Sequence, residues 1–199
     1  MNSRDVILGR IRAALGDTPV PEVPRDYRVA GAVEPDLDLL VDRLVDYKAV
    51  VHRGRAVAEV VASLAPGRLV VPPGLDPSWI PAGVTVVEDE HDADAVLTAA
   101  SVAVAETGTI VLDGSADQGR RRLSLLPDLH VCVVRTDQVV ASVPDAIARL
   151  DPRRPLTWIS GPSATSDIEL NRVEGVHGPR NLHVVLLPAE ATGNGLRRG

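Results

Sequence analysis

The residues best suited to chemistry are concentrated between positions 157 and 187, where two apolar segments typical of buried strands enclose a polar loop. The loop carries the carboxylates of Asp167 and Glu169 and the imidazole of His177, together with several hydroxyls. Polar groups beside buried strands are costly to keep there unless they are hydrogen-bonded. Open α/β folds bind their ligands at the ends of such strands. The pattern therefore predicts a functional site in this loop.

The first part of the loop, residues 160–167, offers the hydroxyls of Ser163 and Thr165 together with backbone N–H groups. If a helical turn begins near Thr165, those N–H groups converge and would hold a phosphate or a carboxylate. The same residues equally suit a helix N-terminus that carries acids in its first turn and binds no ligand. The loop is not a Walker A loop, because the terminal Gly-Lys pair is missing.

His177 and Arg180 follow in the segment Gly-Val-His-Gly-Pro-Arg. The flanking glycines would let a ligand approach the His177 ring, which could act as an acid, a base or a hydrogen-bond donor. A histidine that braces a turn through a backbone carbonyl is the alternative. Arg180 would either bind a ligand carboxylate through two nitrogens or neutralise Asp167 or Glu169. The spacing of these groups fits no zinc pattern, so we predict no metal site.

A second candidate site surrounds Glu106, which follows an apolar stretch and precedes Thr107, Gly108 and Thr109. An apolar setting raises the pKa of a carboxyl, so the pattern suits a general base or a nucleophile. The two threonine hydroxyls would bind a ligand, and the glycine would let it approach closely. A structural carboxylate that accepts backbone N–H groups at a bulge explains the same residues, and the sequence leaves both interpretations open.

Composition excludes several classes of protein. The formal net charge of −6 argues against a general nucleic-acid binder, which would carry a basic surface. The single cysteine, Cys132, lies in an apolar segment and could not form a disulfide framework or a cysteine-ligated cluster. We find neither a signal-peptide pattern nor an apolar run long enough to span a bilayer, and we therefore expect a cytoplasmic protein.

The order of the predicted elements indicates the fold. Valine-rich segments alternate with Ala- and Leu-rich helical segments, which predicts an α/β three-layer sandwich with a mostly parallel central sheet. We expect an N-terminal helix and a proline-rich linker over residues 1–35, the α/β domain over 36–190 and a disordered tail over 191–199. A short helix is predicted over 94–100, and the acidic run 88–92 is predicted to be a solvated surface.

Two segments together carry a family resemblance. Ala-Glu-Thr-Gly-Thr at 105–109 and Ser-Gly-Pro-Ser at 160–163, continued by Asp-Ile-Glu at 167–169 and Gly-Val-His-Gly-Pro at 175–179, closely resemble motifs of the lactate-utilisation (LUD) domain family. The resemblance covers about residues 36–187. It implies a fold related to the NagB/RpiA/CoA-transferase group, in which an α/β sandwich surrounds a central sheet.

The resemblance also implies a role in the bacterial oxidation of L-lactate to pyruvate, beside two partner proteins that carry iron–sulfur clusters. We expect this chain to be the component without a cluster or other cofactor of its own, binding a small carboxylate, a phosphate or the partner subunits. Whether the chain alone is an enzyme stays open. A stand-alone isomerase or a CoA- or acyl-type transferase that uses Glu106 is the alternative, and an interaction protein with purely structural motifs is the third possibility.

One position departs from the family pattern. The second motif of the family often continues with an arginine, whereas this chain has Ala164. If that arginine binds an anion in other members, Arg180 or residues 120–122, three consecutive arginines, would have to replace it here. Solvated arginines at a surface turn are the alternative interpretation of the triplet.

Overall fold

The computed structural model describes residues 2–16, 22–31, 33–165, 173–174 and 178–189, with only the backbone described for 164, 165, 173 and 174. The α-helices in these ranges are α1 (Ser3–Leu15), α2 (Leu37–Asp46), α3 (Val57–Leu64) and α4 (Val143–Arg149). The strands are β1 (Val50–Arg53), β2 (Arg68–Val70), β3 (Thr85–Val87), β4 (Ala95–Ala99), β5 (Val102–Val104), β6 (Thr109–Leu112), β7 (Leu129–Arg135), β8 (Val139–Val140), β9 (Thr157–Ile159), β10 (Ala164–Thr165), β11 (Val173–Glu174) and β12 (Asn181–Leu187).

Six strands form the central sheet in the order β1-β12-β7-β4-β2-β3, and every neighbouring pair is parallel. The middle strands are apolar on both faces, as expected for a parallel sheet that is covered on both sides. All five residues of β4 are buried, and so are the central five residues of β7. The predicted α/β class with a mostly parallel central sheet is confirmed.

Different elements cover the two faces of this sheet. Helix α3 packs Val57, Val60 and Val61 against one face. Helix α2 and a second sheet, in the order β8-β5-β6-β9, cover the other face. Leu40 and Leu44 of α2 are one turn apart and completely buried, because the helix turns this apolar stripe toward the core.

The second sheet joins the core to α4. Its strands β5 and β6 pair antiparallel, and their residues alternate between two clusters as the period of a strand requires. Ala103 and Ile110 face the central sheet, whereas Val104 and Val111 face Ala146 and Leu150 at α4. The turn between β5 and β6 carries Glu106, so this hairpin sets the position of the first sequence motif.

The prediction of a short helix over 94–100 is wrong, because this segment forms strand β4 at the centre of the parallel sheet. Alanine and leucine favour helices when they are exposed, but here the tertiary context decides. Residues 95–99 pair with β2 on one side and β7 on the other, and their side chains are enclosed on both faces.

The N-terminal region lies apart from the core clusters. Helix α1 starts after Asn2, whose side chain accepts a hydrogen bond from the backbone N–H of Asp5, and it buries none of its residues. Residues 22–31 form neither helix nor strand. With 13 residues α1 is the longest helix of the described ranges, so none of these helices could cross a bilayer.

Candidate functional site

The two motif segments meet in the structure. Strands β6 and β9 pair antiparallel, which brings the start of β6 beside the residues that follow β9. Thr107 donates a hydrogen bond of 2.8 Å to the hydroxyl of Thr109, and Thr109 shares a second hydrogen bond of 2.8 Å with Ser160. A chain of three hydroxyls therefore links the Glu-Thr-Gly-Thr turn to the Ser-Gly-Pro-Ser loop.

Two motif glycines let α2 approach these loops. Gly108 and Gly161 both have positive φ, +61° and +84°. A Cβ atom on Gly108 would lie 2.7 Å from the Cβ of Arg43, and one on Gly161 would lie 2.5 Å from the carbonyl oxygen of Tyr47. Since both neighbours belong to the C-terminal end of α2, these glycines explain part of the motif by packing alone.

Glu106 is held by structural partners. Arg28 lies 2.8 Å from Oε2 and 3.2 Å from Oε1, and the backbone N–H of Val143 donates to Oε1 at 3.0 Å. The hydrogen bond from Arg28, followed by the one from Val143, holds the pKa of Glu106 below its usual range despite partial burial. The predicted rise of this pKa is therefore wrong, because Arg28 joins the site from a distant part of the chain.

This ion pair ties residues 22–31 to the core, so we expect Glu106→Gln to loosen that segment. Amide hydrogen exchange there should accelerate several-fold, while the free energy of unfolding changes by less than about 1 kcal/mol, since the pair is partly exposed. Asp38→Asn is the matched control, because it breaks the exposed pair with Arg53 instead. Unchanged exchange over 22–31 in Glu106→Gln would show that the pair does not hold the segment.

Ser163 lines a cavity of about 230 Å³, which we call the small cavity. Its backbone N–H donates to the carbonyl of Pro179 at 2.8 Å, and a Cβ on Gly178 would lie 3.3 Å from the Cβ of Ser163. The second and third motif segments are therefore in contact here. The polar lining of the small cavity consists of Arg121, Ser124, His130, Ser160 and Ser163.

His130 is a functional candidate that the sequence pattern did not single out, whereas Arg121 belongs to the arginine triplet that the sequence offered as a possible anion site. His130 lies in β7, is 1% exposed, and its Nε2 is 2.9 Å from the hydroxyl of Thr98. Burial lowers the pKa of His130 to about 4, so the ring is neutral at physiological pH. The one sequence feature that could have indicated His130 is its position as a polar residue in an otherwise apolar strand.

A second cavity of about 870 Å³, the large cavity, adjoins the small one. Arg121 and Ser124 line both cavities. The large cavity lies beyond the carboxyl end of β2, between the segments that follow β3 and β6 and the start of β9. Its apolar lining includes Val70, Val71, Leu112, Leu123, Pro155 and Leu156.

The prediction that the acidic run 88–92 is a solvated surface is wrong for Glu90, which is 1% exposed. Arg120 lies 3.0 Å from Oε2 of Glu90, and Arg122 lies 2.9 Å from Oε1. A hydrogen bond from its own backbone N–H, followed by the two guanidinium groups, lowers the pKa of Glu90 and keeps it ionised. Glu90 is buried because these arginines cover it.

The three consecutive arginines therefore have different roles. Arg120 and Arg122 are neutralised by Glu90, whereas Arg121 has no carboxylate within ion-pair distance among the described residues. Its backbone carbonyl accepts a hydrogen bond from Ser124, which fixes the turn beside both cavities. Arg121 is thus the cation available to a ligand at the junction of the two cavities.

Arg180 forms an ion pair with Asp128. Its Nε and Nη2 donate to both oxygens of Asp128 at 2.6 and 3.0 Å, which ties the start of β12 to the loop before β7. The hydrogen bond from Arg180 also lowers the pKa of Asp128. The expectation that Arg180 binds a ligand carboxylate is not supported by this geometry, because Asp128 neutralises the charge of Arg180 and occupies its Nε–Nη2 edge.

The remaining candidate residues lie between positions 165 and 177. No helical turn begins at Thr165 itself, because residues 164–165 form β10 and pair antiparallel with β11, whereas residues 166–172 lie outside the described residues. Asp167, Glu169 and His177 lie outside the described residues, as do the side chain of Thr165 and the predicted tail 191–199.

The described part of the chain offers few groups for a metal or cluster. Cys132 is completely buried in β7, and burial raises the pKa of its thiol to about 12, so it is protonated. Within the described ranges, no group of three His, Cys, Asp or Glu side chains converges as a metal site would require. One protonated thiol does not fit an iron–sulfur cluster, which needs several thiolate ligands.

Comparisons with known proteins agree with this architecture. Residues 83–187 match the family model of the LUD domain. The chain is 48% identical over 163 residues to a protein of Deinococcus radiodurans named lactate utilization protein C, covering 73% of this chain and 76% of that protein. It is 33% identical over 109 residues to the Bacillus subtilis protein of the same name.

A crystal structure of a DUF162 family protein from Deinococcus radiodurans has the same fold, with a TM-score of 0.63 and 39% sequence identity. The similarity covers 77% of this chain and 96% of that protein. The coverage of other relatives is shorter, since the match with the Bacillus subtilis protein spans 45% of its length.

Proposed function

Because this chain belongs to the LUD domain family, we propose that it serves lactate utilisation as a component that binds a small carboxylate in the small cavity. Two curated relatives are named lactate utilization protein C, and one of them is similar over most of this chain. The observation that carries the choice of site is Arg121, whose charge is not neutralised by any carboxylate of the described residues.

The small cavity has the groups that lactate requires. A guanidinium binds a carboxylate through charge-assisted hydrogen bonds, and Arg121 is placed for that role. Ser160 and Ser163 also line this cavity, and a serine hydroxyl suits the lactate hydroxyl as a donor or an acceptor. Neutral His130 adds no charge, so the carboxylate is attracted toward Arg121. A volume of about 230 Å³ suits a small ligand with a few waters.

The redox chemistry of the proposed system comes from elsewhere. Oxidation of lactate to pyruvate needs an acceptor for two electrons, which protein side chains do not provide and cofactors do. We propose that two iron–sulfur proteins are the partners and that this chain binds substrate or organises the assembly. Copurification of the full chain with two cluster-bearing proteins, followed by an iron assay, tests this part of the proposal.

The binding site is tested by calorimetric titration of the full chain with L-lactate. We expect Arg121→Gln to weaken binding about tenfold to hundredfold, because a charged hydrogen-bond partner is lost. Arg149→Gln is the control, since Arg149 is an exposed arginine that lines neither cavity. Propionate, which lacks the hydroxyl of lactate, should bind more weakly to the wild-type chain. Equal lactate affinity in Arg121→Gln and Arg149→Gln would refute the site.

The alternative of an isomerase or transferase that uses Glu106 has no support from the geometry. A nucleophile or general base must be available to its substrate, whereas Arg28 and Val143 occupy both oxygens of Glu106. The expected result is that Glu106→Gln retains full lactate binding. Turnover by the isolated chain that disappears in Glu106→Gln would instead favour the alternative.

A further inference from the structure

We propose that the large cavity binds a second ligand, an amphipathic organic anion much larger than lactate, beside the small-carboxylate site. This inference goes beyond the proposed function, because it assigns a further cavity and a further class of ligand. Both ligands use Arg121 for their anionic group and therefore compete there. It rests on the size of the cavity, its apolar walls and one available cation.

The size of the cavity excludes lactate as its natural occupant. At about 870 Å³ it is nearly four times as large as the small cavity. Cavities of roughly 300–1,000 Å³ are typical of sites for drug-sized ligands and cofactors. A molecule with a few non-hydrogen atoms would leave most of this space to water and would gain little from the walls.

The walls of the large cavity favour a ligand with an apolar body. Val70 and Val71 come from the end of β2, Leu112 from the end of β6, and Leu123 and Leu156 from the segments that face them. Removal of apolar surface from water stabilises a ligand of matching character by about 25 cal/mol per Å². A ring system or a branched hydrocarbon would therefore bind here in preference to a sugar or a short polar acid.

Arg121 favours a ligand that carries an anionic group. It lines the large cavity as well as the small one, and it has no carboxylate partner in the described ranges. Arg120 also lines the large cavity, but Glu90 neutralises it. Exposed Glu88 lies on the same cavity, so a ligand anion is favoured at the end beside Arg121.

Glu90 offers no contact to the ligand. Its Oε1 has almost no accessible surface, and Arg122 lies 2.9 Å from it as an ion pair, so a ligand donor cannot reach it. The ligand class is therefore an apolar body with one anionic group.

Anilinonaphthalene sulfonate has both features and becomes fluorescent in apolar sites, which makes it a suitable probe. Phenylnaphthylamine is the matched probe, because it keeps the aromatic body and the N–H group but lacks the charge. We expect saturable binding of the sulfonate to the full chain. Arg121→Gln should weaken the sulfonate about tenfold and leave phenylnaphthylamine unchanged, since only one probe carries a charge for the arginine.

Filling the cavity provides the second arm of the experiment. Thr157→Trp places a large ring in the cavity and should weaken both probes at least about tenfold. Thr85→Trp is the control, because Thr85 is an exposed strand residue that does not line the cavity. Pro155→Trp at the exposed rim replaces Thr157→Trp if that variant does not fold.

The outcomes separate this proposal from the proposed function. Absence of saturable sulfonate binding, or equal affinity in the cavity-filled and Thr85→Trp variants, would overturn the second site. L-lactate titration of Thr157→Trp should match the wild type, because Thr157 does not line the small cavity. Loss of lactate binding without loss of probe binding would contradict the small-carboxylate site alone.

Discussion

Gly161→Ala is expected to lower the free energy of unfolding by about 2–5 kcal/mol. The residue adopts a φ of +84°, which costs a residue with a Cβ about 1–2 kcal/mol. The new Cβ would also lie 2.5 Å from the carbonyl oxygen of Tyr47, so α2 or the Ser-Gly-Pro-Ser loop must move. Because α2 buries Leu40 and Leu44 in the main core cluster, that movement disturbs the packing of the whole domain.

Gly54→Ala is the matched control for this substitution. Gly54 also has a positive φ, +67°, but no described atom lies within 4 Å of its Cβ position. It should therefore lose only the conformational part, about 1–2 kcal/mol. Denaturant unfolding of both variants measures the difference. Equal losses of unfolding free energy in the two variants would mean that α2 and the loop move apart without a loss of stability.

Lowering the pH from 7 to 4 should destabilise the protein partly through His130. The pKa of this ring falls from 6.5 to about 4 on folding because it is buried, so the unfolded chain binds the proton more readily. Stability from the neutral ring is complete above pH 6.5 and is lost progressively as the pH falls toward 4. The gap between the two pKa values corresponds to about 3 kcal/mol.

His130→Gln isolates this contribution. Glutamine has no titration in this range and still offers a partner to the hydroxyl of Thr98. Burial also lowers the pKa of His52 and His183, but both residues remain in the variant and their effect cancels in the comparison. Unfolding free energies at several pH values should show a shallower acid loss in His130→Gln. Identical pH profiles would show that His130 does not titrate on unfolding.

Local pattern accounts for much of the fold. The apolar stripe of α2 and the valine-rich segments of β5, β6 and β7 indicate their elements correctly, because burial on one face or both leaves a period in the sequence. Strand β4 was predicted as a helix, since Ala-Val-Leu-Thr-Ala has no period that separates a fully buried strand from a buried helix.

The environments of two carboxylates could not be predicted from the local sequence. Glu106 was expected to have a raised pKa because its neighbours in sequence are apolar, yet Arg28 reaches it from 78 positions away. Glu90 was expected to be exposed because its neighbours are acidic, yet Arg120 and Arg122 cover it. In both cases the environment of a carboxylate depends on residues that no local window contains.

The sequence by itself determined the class of fold, the family and the absence of enough cysteines for a cluster, because composition, period and short motifs are local properties of the chain. Only the tertiary structure decided which arginine of residues 120–122 stays available, which histidine is buried and where the two cavities join. The reason is physical, since charge neutralisation and burial are sums over neighbours in space. Those neighbours are brought together only when β2, β3, β6 and β9 have packed.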